Sequence, residues 1–130
     1  MSVKVPEIYW HGNKERIMSL DFCLDNKTLI TGGSDSEFNS GFMKEWEINL
    51  EGLFTNSDEV IEIENEKRLV NITFMNNLEN GHTHTVNCVR FNQSGKLLAS
   101  CGDDSKIIIW EKKMKPIFGK DEYTLQWTPK

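Results

Sequence analysis

The stretch that decides the fold is GHTHTVNCVRFNQSGKLLASCGDDSKIIIW, residues 81–110. An earlier stretch, RIMSLDFCLDNKTLITGGSDS at residues 16–36, is a weaker copy of its middle. With an offset of 69 positions, six identities align: Phe91 with Phe22, Lys96 with Lys27, Leu98 with Leu29, Gly102 with Gly33, Asp104 with Asp35 and Ser105 with Ser36. Self-similarity at a fixed period is typical of repeat architectures, in which each repeat folds into the same small unit.

Short apolar runs separated by turn residues predict an all-β chain without helices. The expected strands of the first copy are 17–22, 28–32, 43–48 and, as the outer strand, 68–78. Those of the second copy are 86–91, 96–100 and 106–110, with turns at 93–95 and 102–105. We expect a lysine-rich loop over Glu111–Asp121 and another outer strand over Tyr123–Thr128. Whether Trp10 and Trp127 are core or surface residues is left open by the sequence.

Four residues of the second copy predict one chain of buried hydrogen bonds: His82, Ser100, Asp104 and Trp110. A buried Trp carries a single indole N–H donor that needs an acceptor, and the Ser100 hydroxyl on the neighbouring strand can accept it. That hydroxyl can donate to one imidazole nitrogen of His82, whose other nitrogen can donate to Asp104. Such a chain satisfies every buried polar group and ties the turns of the repeat to its strands.

The matching positions of the first copy are Thr31, Asp35 and Trp46, with His11 as the candidate histidine. This copy departs from the pattern, because Asp35 and Trp46 are five residues farther apart than Asp104 and Trp110. His11 also lies two residues farther from its strand than the second copy's histidine does. We therefore expect a weaker hydrogen-bond chain in the first copy.

The order and spacing of these residues closely resemble the WD-repeat family. The resemblance is carried by Gly81-His82, Val86, Phe91, Gly95-Lys96, Leu98-Ala99-Ser100, Asp104 and Trp110. A repeat of that family takes roughly 40–45 residues, and its rings hold about 4–8 blades of four antiparallel strands. The resemblance thus implies a partial β-propeller, about two blades of a larger ring, and a binding scaffold rather than an enzyme.

This resemblance divides the chain into expected units. Residues 1–10 are an N-terminal edge strand, which closes the ring in the family. Residues 11–80 form the first blade, with an acidic insertion near 49–67, and residues 81–130 form the second blade, truncated at its outer strand. We interpret the chain as the N-terminal piece of a longer protein.

Further strings narrow the resemblance to the WD-repeat subunits of chromatin assembly factor 1 and, as close relatives, the HIR-type histone co-repressors. They are Glu7-Ile8-x-Trp10-His11, Asn13-Lys14-Glu15, Ser19-Leu20-Asp21-Phe22, Phe74-x-Asn76-x-Leu78, Val86-Asn87-x-Val89-Arg90-Phe91, Ser94-Gly95 and Gly102-Asp103-Asp104. The resemblance implies a ring of about seven blades and a nuclear subunit of a histone chaperone that assembles chromatin during DNA replication. Its implied partners are core histones and the other assembly-factor subunits. The alternatives are a HIR-type transcriptional co-repressor or a ubiquitin-ligase substrate receptor, and a cytoplasmic location; the partner-binding residues stay unknown.

Catalytic and metal chemistry are poorly supported by the residues. Ser100, His82 and Asp104 have the residue types of a hydrolase triad, but no G-x-S-x-G elbow surrounds the serine and the repeat already explains all three. His82 and His84 make at most half of a metal site, because no further ligand follows at metal-binding spacing. No P-loop or G-x-G-x-x-G motif occurs. We predict no enzyme activity, no catalytic residues, no metal and no cofactor.

Charge and cysteine usage add weaker indications. The net charge is −5; residues 1–66 carry 5 Lys or Arg against 14 Asp or Glu, and residues 67–130 carry 10 against 6. An acidic face suits a basic partner such as a histone, although a solvated surface is the simpler interpretation. The four lysines near the C-terminus are interleaved by one aromatic residue, so we expect no sequence-specific nucleic-acid binding. Cys23, Cys88 and Cys101 lack CxxC spacing and predict free thiols in a reducing compartment.

We expect no association with membranes, because no run approaches the roughly 18 apolar residues that a spanning helix needs.

Two blades bury their faces only against neighbours, and about three or more repeats are needed before such a stack is stable. Exposed outer strands are also templates for pairing with another chain. The isolated chain is therefore expected to self-associate.

Overall fold

In a computed structural model, the described residues form ten strands and no helix. The structure describes residues 14–35, 40–49, 62–63, 66–67 and 71–130. The strands are β1 (Glu15–Phe22), β2 (Thr28–Asp35), β3 (Gly41–Asn49), β4 (Glu62–Ile63), β5 (Glu66–Lys67), β6 (Asn71–Asn77), β7 (Val86–Phe91), β8 (Leu97–Gly102), β9 (Ile107–Pro116) and β10 (Tyr123–Pro129). Eight of them build two four-stranded antiparallel sheets, and β4 and β5 form a separate two-stranded sheet. This confirms the all-β prediction and is consistent with a partial propeller.

The first sheet has the strand order β1-β2-β3-β6. A carboxylate stabilises the turn of its first hairpin: Asp25 Oδ1 accepts hydrogen bonds from the amides of Lys27 at 2.8 Å and Thr28 at 2.9 Å. Asn26 adopts a φ of 59°, the left-handed conformation that asparagine tolerates. Burial alone would raise the pKa of Asp25, but these amide hydrogen bonds, together with side-chain hydrogen bonds from Thr28 and Cys23, outweigh it and lower the pKa.

The second sheet has the strand order β10-β9-β8-β7 and repeats the hairpin with different residues. Here the side chain of Asn92 accepts a hydrogen bond from the amide of Leu97 at 3.0 Å. Gly95 supplies the left-handed turn residue, with a φ of 74°. The two hairpins thus reach the same turn with an aspartate in one and an asparagine with a glycine in the other.

The predicted loop at Glu111–Asp121 is wrong over its first half. Strand β9 continues to Pro116, because residues from Glu111 onward pair with Tyr123–Pro129 of the outer strand. Lysine-rich sequence favours a loop when it is judged on composition, but the residues of β9 beyond Glu111 pair with β10 alone. Long charged side chains are well tolerated along such an open edge, where their charged ends reach solvent or a partner. The lysines therefore extend a strand pair rather than a loop.

The two sheets face each other, and the core lies between them. One apolar cluster contains buried residues of both sheets and of their connection: Ile30, Met43, Leu78, Val86, Val89, Leu98, Trp110 and Trp127. At the inner strands, two side chains of β1 cap amides of β7: Ser19 Oγ accepts from the Val89 amide at 3.2 Å, and Asp21 Oδ2 accepts from the Phe91 amide at 2.7 Å. The sheets are therefore joined by both apolar packing and hydrogen bonds.

Two glycines of the first sheet permit this close approach. A Cβ on Gly32 would lie 2.9 Å from Cγ1 of Val86 and 3.0 Å from Cγ1 of Val89. A Cβ on Gly41 would collide with the carbonyl oxygen of His84, in the connection that enters the second sheet. Any larger residue at either position would push the sheets apart.

The expected division of the chain is only partly covered by the described residues. The N-terminal edge strand at 1–10 lies outside them, and the acidic insertion near 49–67 is represented only by β3's last residue and by the pair β4–β5. The expected outer strand of the first unit is β6, and that of the second is β10, which pairs with β9 from Tyr123 to Pro129. The assignment of these units as blades stays a prediction.

Self-association remains an expected result, now with identifiable surfaces. Large apolar side chains are exposed on both sheets, among them Leu20 and Phe22 on β1 and Ile107, 78% exposed, on β9. Exposed apolar faces of this kind drive association in water. Light scattering on the 130-residue chain at micromolar concentration should give a mass above that of the monomer. A compact, cooperative, strictly monomeric species would contradict the prediction.

Candidate functional site

The structure brings the four predicted residues of the second copy together. Trp110, on β9, donates its indole N–H to Ser100 Oγ on the neighbouring strand β8 at 2.8 Å. The same hydroxyl lies 2.7 Å from His82 Nε2, and His82 Nδ1 lies 2.9 Å from Asp104 Oδ1. With the proton of His82 on Nδ1, every donor in this chain meets an acceptor: indole to hydroxyl, hydroxyl to Nε2, and Nδ1 to carboxylate.

The carboxylate of Asp104 is the end point of this chain and organises the turn around it. Besides His82, it accepts hydrogen bonds from the amides of Thr83 at 3.0 Å and Lys106 at 3.2 Å. Burial alone would raise the pKa of Asp104, but the three hydrogen-bond donors outweigh it and lower the pKa to about 2. The group is therefore a carboxylate at neutral pH, and it ties the segment of His82 and Thr83 to the turn that leads to Lys106.

The order serine, histidine, aspartate is that of a hydrolase triad, but its surroundings do not suit catalysis. The side chains of His82 and Asp104 are 1% and 3% exposed. Ser100 is 3% exposed, and its oxygen already accepts the Trp110 indole N–H. A nucleophile must reach a substrate carbonyl, and this hydroxyl faces the core instead. The arrangement is suited to holding strands and turns, and that role stays a prediction.

Among the described residues, the first sheet shows one bond of the corresponding chain. Trp46 Nε1 donates to Thr31 Oγ1 at 2.9 Å, which is the counterpart of the Trp110–Ser100 bond. The ring of Trp46 also packs against the edge of Phe74, with ring centroids 5.5 Å apart. Asp35 lies at the end of β2, where its amide donates to the Ser40 carbonyl at 2.9 Å. His11 lies outside the described residues.

Sequence reasoning missed a second buried polar cluster, centred on Glu45 of β3. This residue is 4% exposed. Its carboxylate accepts the Trp127 indole N–H at 2.8 Å and an Asn76 amide N–H at 3.1 Å, and it forms an ion pair with Lys112 at 2.9 Å. We call these four residues the inter-sheet clamp, because Trp127 and Lys112 belong to the second sheet and the other two to the first.

The sequence contains one indication of the inter-sheet clamp. In a strand, residues two apart point to the same face. Met43 is buried in the core, so Glu45 occupies a core-facing position of β3. A carboxylate at such a position requires a partner, but nothing local in the sequence identifies it. The structure also settles the position of Trp127, which is buried in the core.

Cofactor and metal chemistry find little support in the described parts of the chain. There, no three His, Cys, Asp or Glu side chains come together as a metal site requires. His84, the second histidine of the H-x-H string, lies with Nδ1 2.9 Å from the hydroxyl of the adjacent Thr83.

A groove of about 250 Å³ lies beside the inter-sheet clamp, between the two sheets, and is lined in part by Met75 and Leu125. The structure shows no helix with the length and hydropathy of a membrane span among the residues it describes.

The pKa of Asp104 makes a testable prediction about acid stability. Its pKa is lowered from an ordinary value of 3.8 to about 2 in the folded chain. The resulting stabilisation is complete above the unfolded pKa and is lost as the pH falls from about 4 towards about 2. We expect Asp104→Asn to flatten the fall in melting temperature over this pH range, relative to the wild type. Equal slopes in the two proteins, followed by circular dichroism, would contradict the prediction.

Comparison with known proteins gives a family and two groups of relatives. The family model "WD domain, G-beta repeat" matches residues 4–38 and 73–111. The second matched stretch begins in β6, the outer strand of the first sheet, and ends in β9 of the second sheet. The second matched stretch therefore spans two sheets in space, and its first strand, β6, completes the first sheet.

The relatives carry chromatin-related names. The chain is 36% identical over 130 residues to a chromatin assembly factor 1 subunit of Gallus gallus, covering 94% of this chain and 19% of that protein. It is 28% identical over 109 residues to the protein of the same name from Saccharomyces cerevisiae, covering 82% and 20%. It is 34% identical over 100 residues to "Protein HIRA" of Mus musculus, covering 77% and 9%. The chain thus spans about a fifth or less of the length of these relatives.

Proposed function

The chain belongs to the WD-repeat family, and from that premise we propose that it is a non-catalytic scaffold within a histone chaperone that assembles chromatin during DNA replication. The observation that carries the proposal is the similarity to relatives named as chromatin assembly factor 1 subunits, which extends over 94% of this chain in the Gallus gallus protein. The implied partners are core histones and the other subunits of the assembly factor, and the implied location is the nucleus.

We further propose that the two sheets are two neighbouring blades of a larger ring. Residues 11–80 supply the first blade and residues 81–130 the second, and the strand at 1–10 closes the ring. Two features support this arrangement: the sheets pack face to face through one core, and the WD match crosses from one sheet to the next. In such a ring each blade packs on two neighbours, and the outer surface is left for partners.

The polar core supports a scaffold rather than a catalyst. In the hydrogen-bond chain from Trp110 to Asp104, the side-chain donors and acceptors bond to one another. The inter-sheet clamp likewise commits a buried carboxylate to residues of the same chain. Satisfied networks of this kind make a structure rigid and specify its packing. A rigid frame is what a scaffold needs in order to hold several partners in fixed positions.

The proposal is tested by affinity purification of the full-length protein from nuclear extract of its own cells. We expect core histones and the largest assembly-factor subunit to co-purify, and the protein to associate with newly replicated DNA. The matched control is the same protein carrying Trp110→Ala, which we expect to lose the partners together with the fold of the second sheet. Co-purification of neither histones nor assembly-factor subunits with the folded wild type would overturn the proposal.

A second candidate is a HIR-type transcriptional co-repressor, favoured by the similarity to Protein HIRA over 100 residues. The same purification separates the two functions. An assembly-factor subunit is recovered with the large subunit of that factor, and its association with DNA depends on replication. A co-repressor is recovered with other partners, and its association with DNA does not depend on replication. Arrest of replication before purification provides the control.

The absence of catalysis is a separate expected result. The buried Ser100 hydroxyl cannot meet a substrate, so ester, peptide and nucleotide substrates should show no turnover above background. The check is a comparison of the wild type with Ser100→Ala at equal concentration. Turnover that disappears in a folded Ser100→Ala protein would contradict the prediction.

A further inference from the structure

The groove beside the inter-sheet clamp opens between the outer strands of the two sheets. It has a volume of about 250 Å³. Met75 and Asn76 of β6 line it from the first sheet, and Thr124 and Leu125 of β10 line it from the second. Its walls are the sides on which the two sheets face each other, and further blades of the proposed ring pack on the opposite sides. The groove therefore stays open at the circumference of such a ring.

An apolar side chain from each sheet reaches into the groove. The register of β3 with β6 skips Met75, which is therefore the extra residue of a β-bulge, a feature that redirects a side chain. Leu125 lies two residues before Trp127, whose indole bonds to Glu45, so it shares the face turned to the first sheet. Met75 is 44% exposed and Leu125 is 50% exposed. The two side chains offer an apolar contact that the chain itself leaves unfilled.

Glu47 gives the groove a free negative charge. It lies two residues beyond Glu45 on β3, hence on the same face, and it lines the groove with an exposed side chain. Among the described residues, no ion pair or side-chain hydrogen bond engages its carboxylate. Lys112 also lines the groove, but its Nζ lies 2.9 Å from Glu45 Oε2 and 5.3 Å from the centre of the Trp127 ring. The groove thus combines an apolar contact with an unpaired carboxylate.

We propose that this groove binds an extended basic segment of a partner protein, which places an aliphatic side chain against Met75 and Leu125 and a lysine or arginine on Glu47. The inference rests on the proposed function, which supplies basic partners in the core histones. The surrounding charge favours such a segment, because residues 1–66 carry 14 Asp or Glu against 5 Lys or Arg. Strands β6 and β10 are each the last strand of their sheet, and an extended peptide pairs with an open strand edge through its main chain.

Photocrosslinking in the full-length protein tests the proposal directly. The photoreactive residue p-benzoylphenylalanine is placed at Thr124, which lines the groove. The protein is mixed with purified core histones and irradiated, and the linked peptides are mapped by mass spectrometry. We expect crosslinks to a histone segment rich in lysine and arginine, and we expect Glu47→Lys to abolish them. The matched control is Glu79→Lys, which makes the same change of charge at an exposed residue outside the groove and should keep the crosslinks.

The affinity for core histones, measured at one fixed salt concentration, is the second readout. Glu47→Ala removes one exposed ion pair, so we expect binding to weaken by about twofold to fivefold. Glu47→Lys brings like charges together, which should weaken binding by about tenfold or more. Leu125→Lys replaces the apolar contact by a repelling charge and should weaken binding as well. Circular dichroism checks that each variant is folded.

The outcomes separate the groove from the proposed function. Equal histone affinity of the wild type, Glu47→Lys and Leu125→Lys would overturn the groove proposal and leave the histone-chaperone function standing. The same holds if Glu79→Lys weakens binding as much as Glu47→Lys, or if Thr124 crosslinks only to the protein's own chain. A folded wild type that binds no histones would overturn both proposals. The crosslinks of the labelled protein without a second substitution decide the question even if a variant fails to fold.

Discussion

Replacing Trp110 by alanine is expected to cost about 3–5 kcal/mol of folding free energy, the range for removing a large aromatic side chain from a core. Trp110 is fully buried and packs in the cluster that joins the two sheets. A Cβ on Gly81 would collide with its ring, so the chain that enters the second sheet is closely fitted to this side chain. Small domains are stable by only about 5–15 kcal/mol. The loss is therefore a large share of the whole.

Urea unfolding followed by circular dichroism measures this loss, and Trp110→Phe is its matched control. Phenylalanine keeps most of the apolar volume but removes the N–H that Ser100 accepts. The hydroxyl still has His82 as a partner, so we expect this variant to lose only about 1 kcal/mol, the typical net contribution of one hydrogen bond. If alanine and phenylalanine destabilise the protein equally, the packing account of Trp110 is wrong.

The parts of the structure that sequence predicts well are those contained within one repeat. Strand β7 occupies the predicted residues 86–91, because turn residues bound it on both sides. In the hydrogen-bond chain from Trp110 to Asp104, bonded partners are at most 22 positions apart, so each bond lies within one repeat. Local turn chemistry and strand alternation are sufficient to place such residues.

The parts of the structure that sequence does not predict depend on contacts between residues of different sheets. The Trp127–Glu45 bond of the inter-sheet clamp spans 82 positions, and no spacing rule relates the two residues. Lys112 of β9 is a similar case, because this residue of the lysine-rich stretch forms an ion pair with Glu45 of the other sheet. Partner choice across a sheet interface is set by three-dimensional packing, which overrides local propensity.

The inter-sheet clamp leads to the second large effect. Glu45→Ala removes the acceptor of the buried Trp127 N–H and the partner of Lys112. A buried donor left without an acceptor costs about 1–3 kcal/mol. Because the two donors belong to the second sheet and Glu45 to the first, we expect the loss to loosen the contact between the sheets before either sheet unfolds.

The measurement is urea unfolding together with hydrogen exchange of the Trp127 indole N–H, which should become faster in Glu45→Ala. Glu47→Ala is the matched control, because Glu47 lies two residues along the same strand but is exposed; surface substitutions of this kind usually change stability by about 0.5 kcal/mol or less. Glu45→Gln separates charge from hydrogen bonding, since glutamine keeps one acceptor oxygen for the indole and loses the ion pair with Lys112. If the inter-sheet clamp works by satisfying a buried donor, the loss of folding free energy should be largest in Glu45→Ala, smaller in Glu45→Gln and smallest in Glu47→Ala. Equal stability of Glu45→Ala and Glu47→Ala would show that the apolar core alone holds the sheets together.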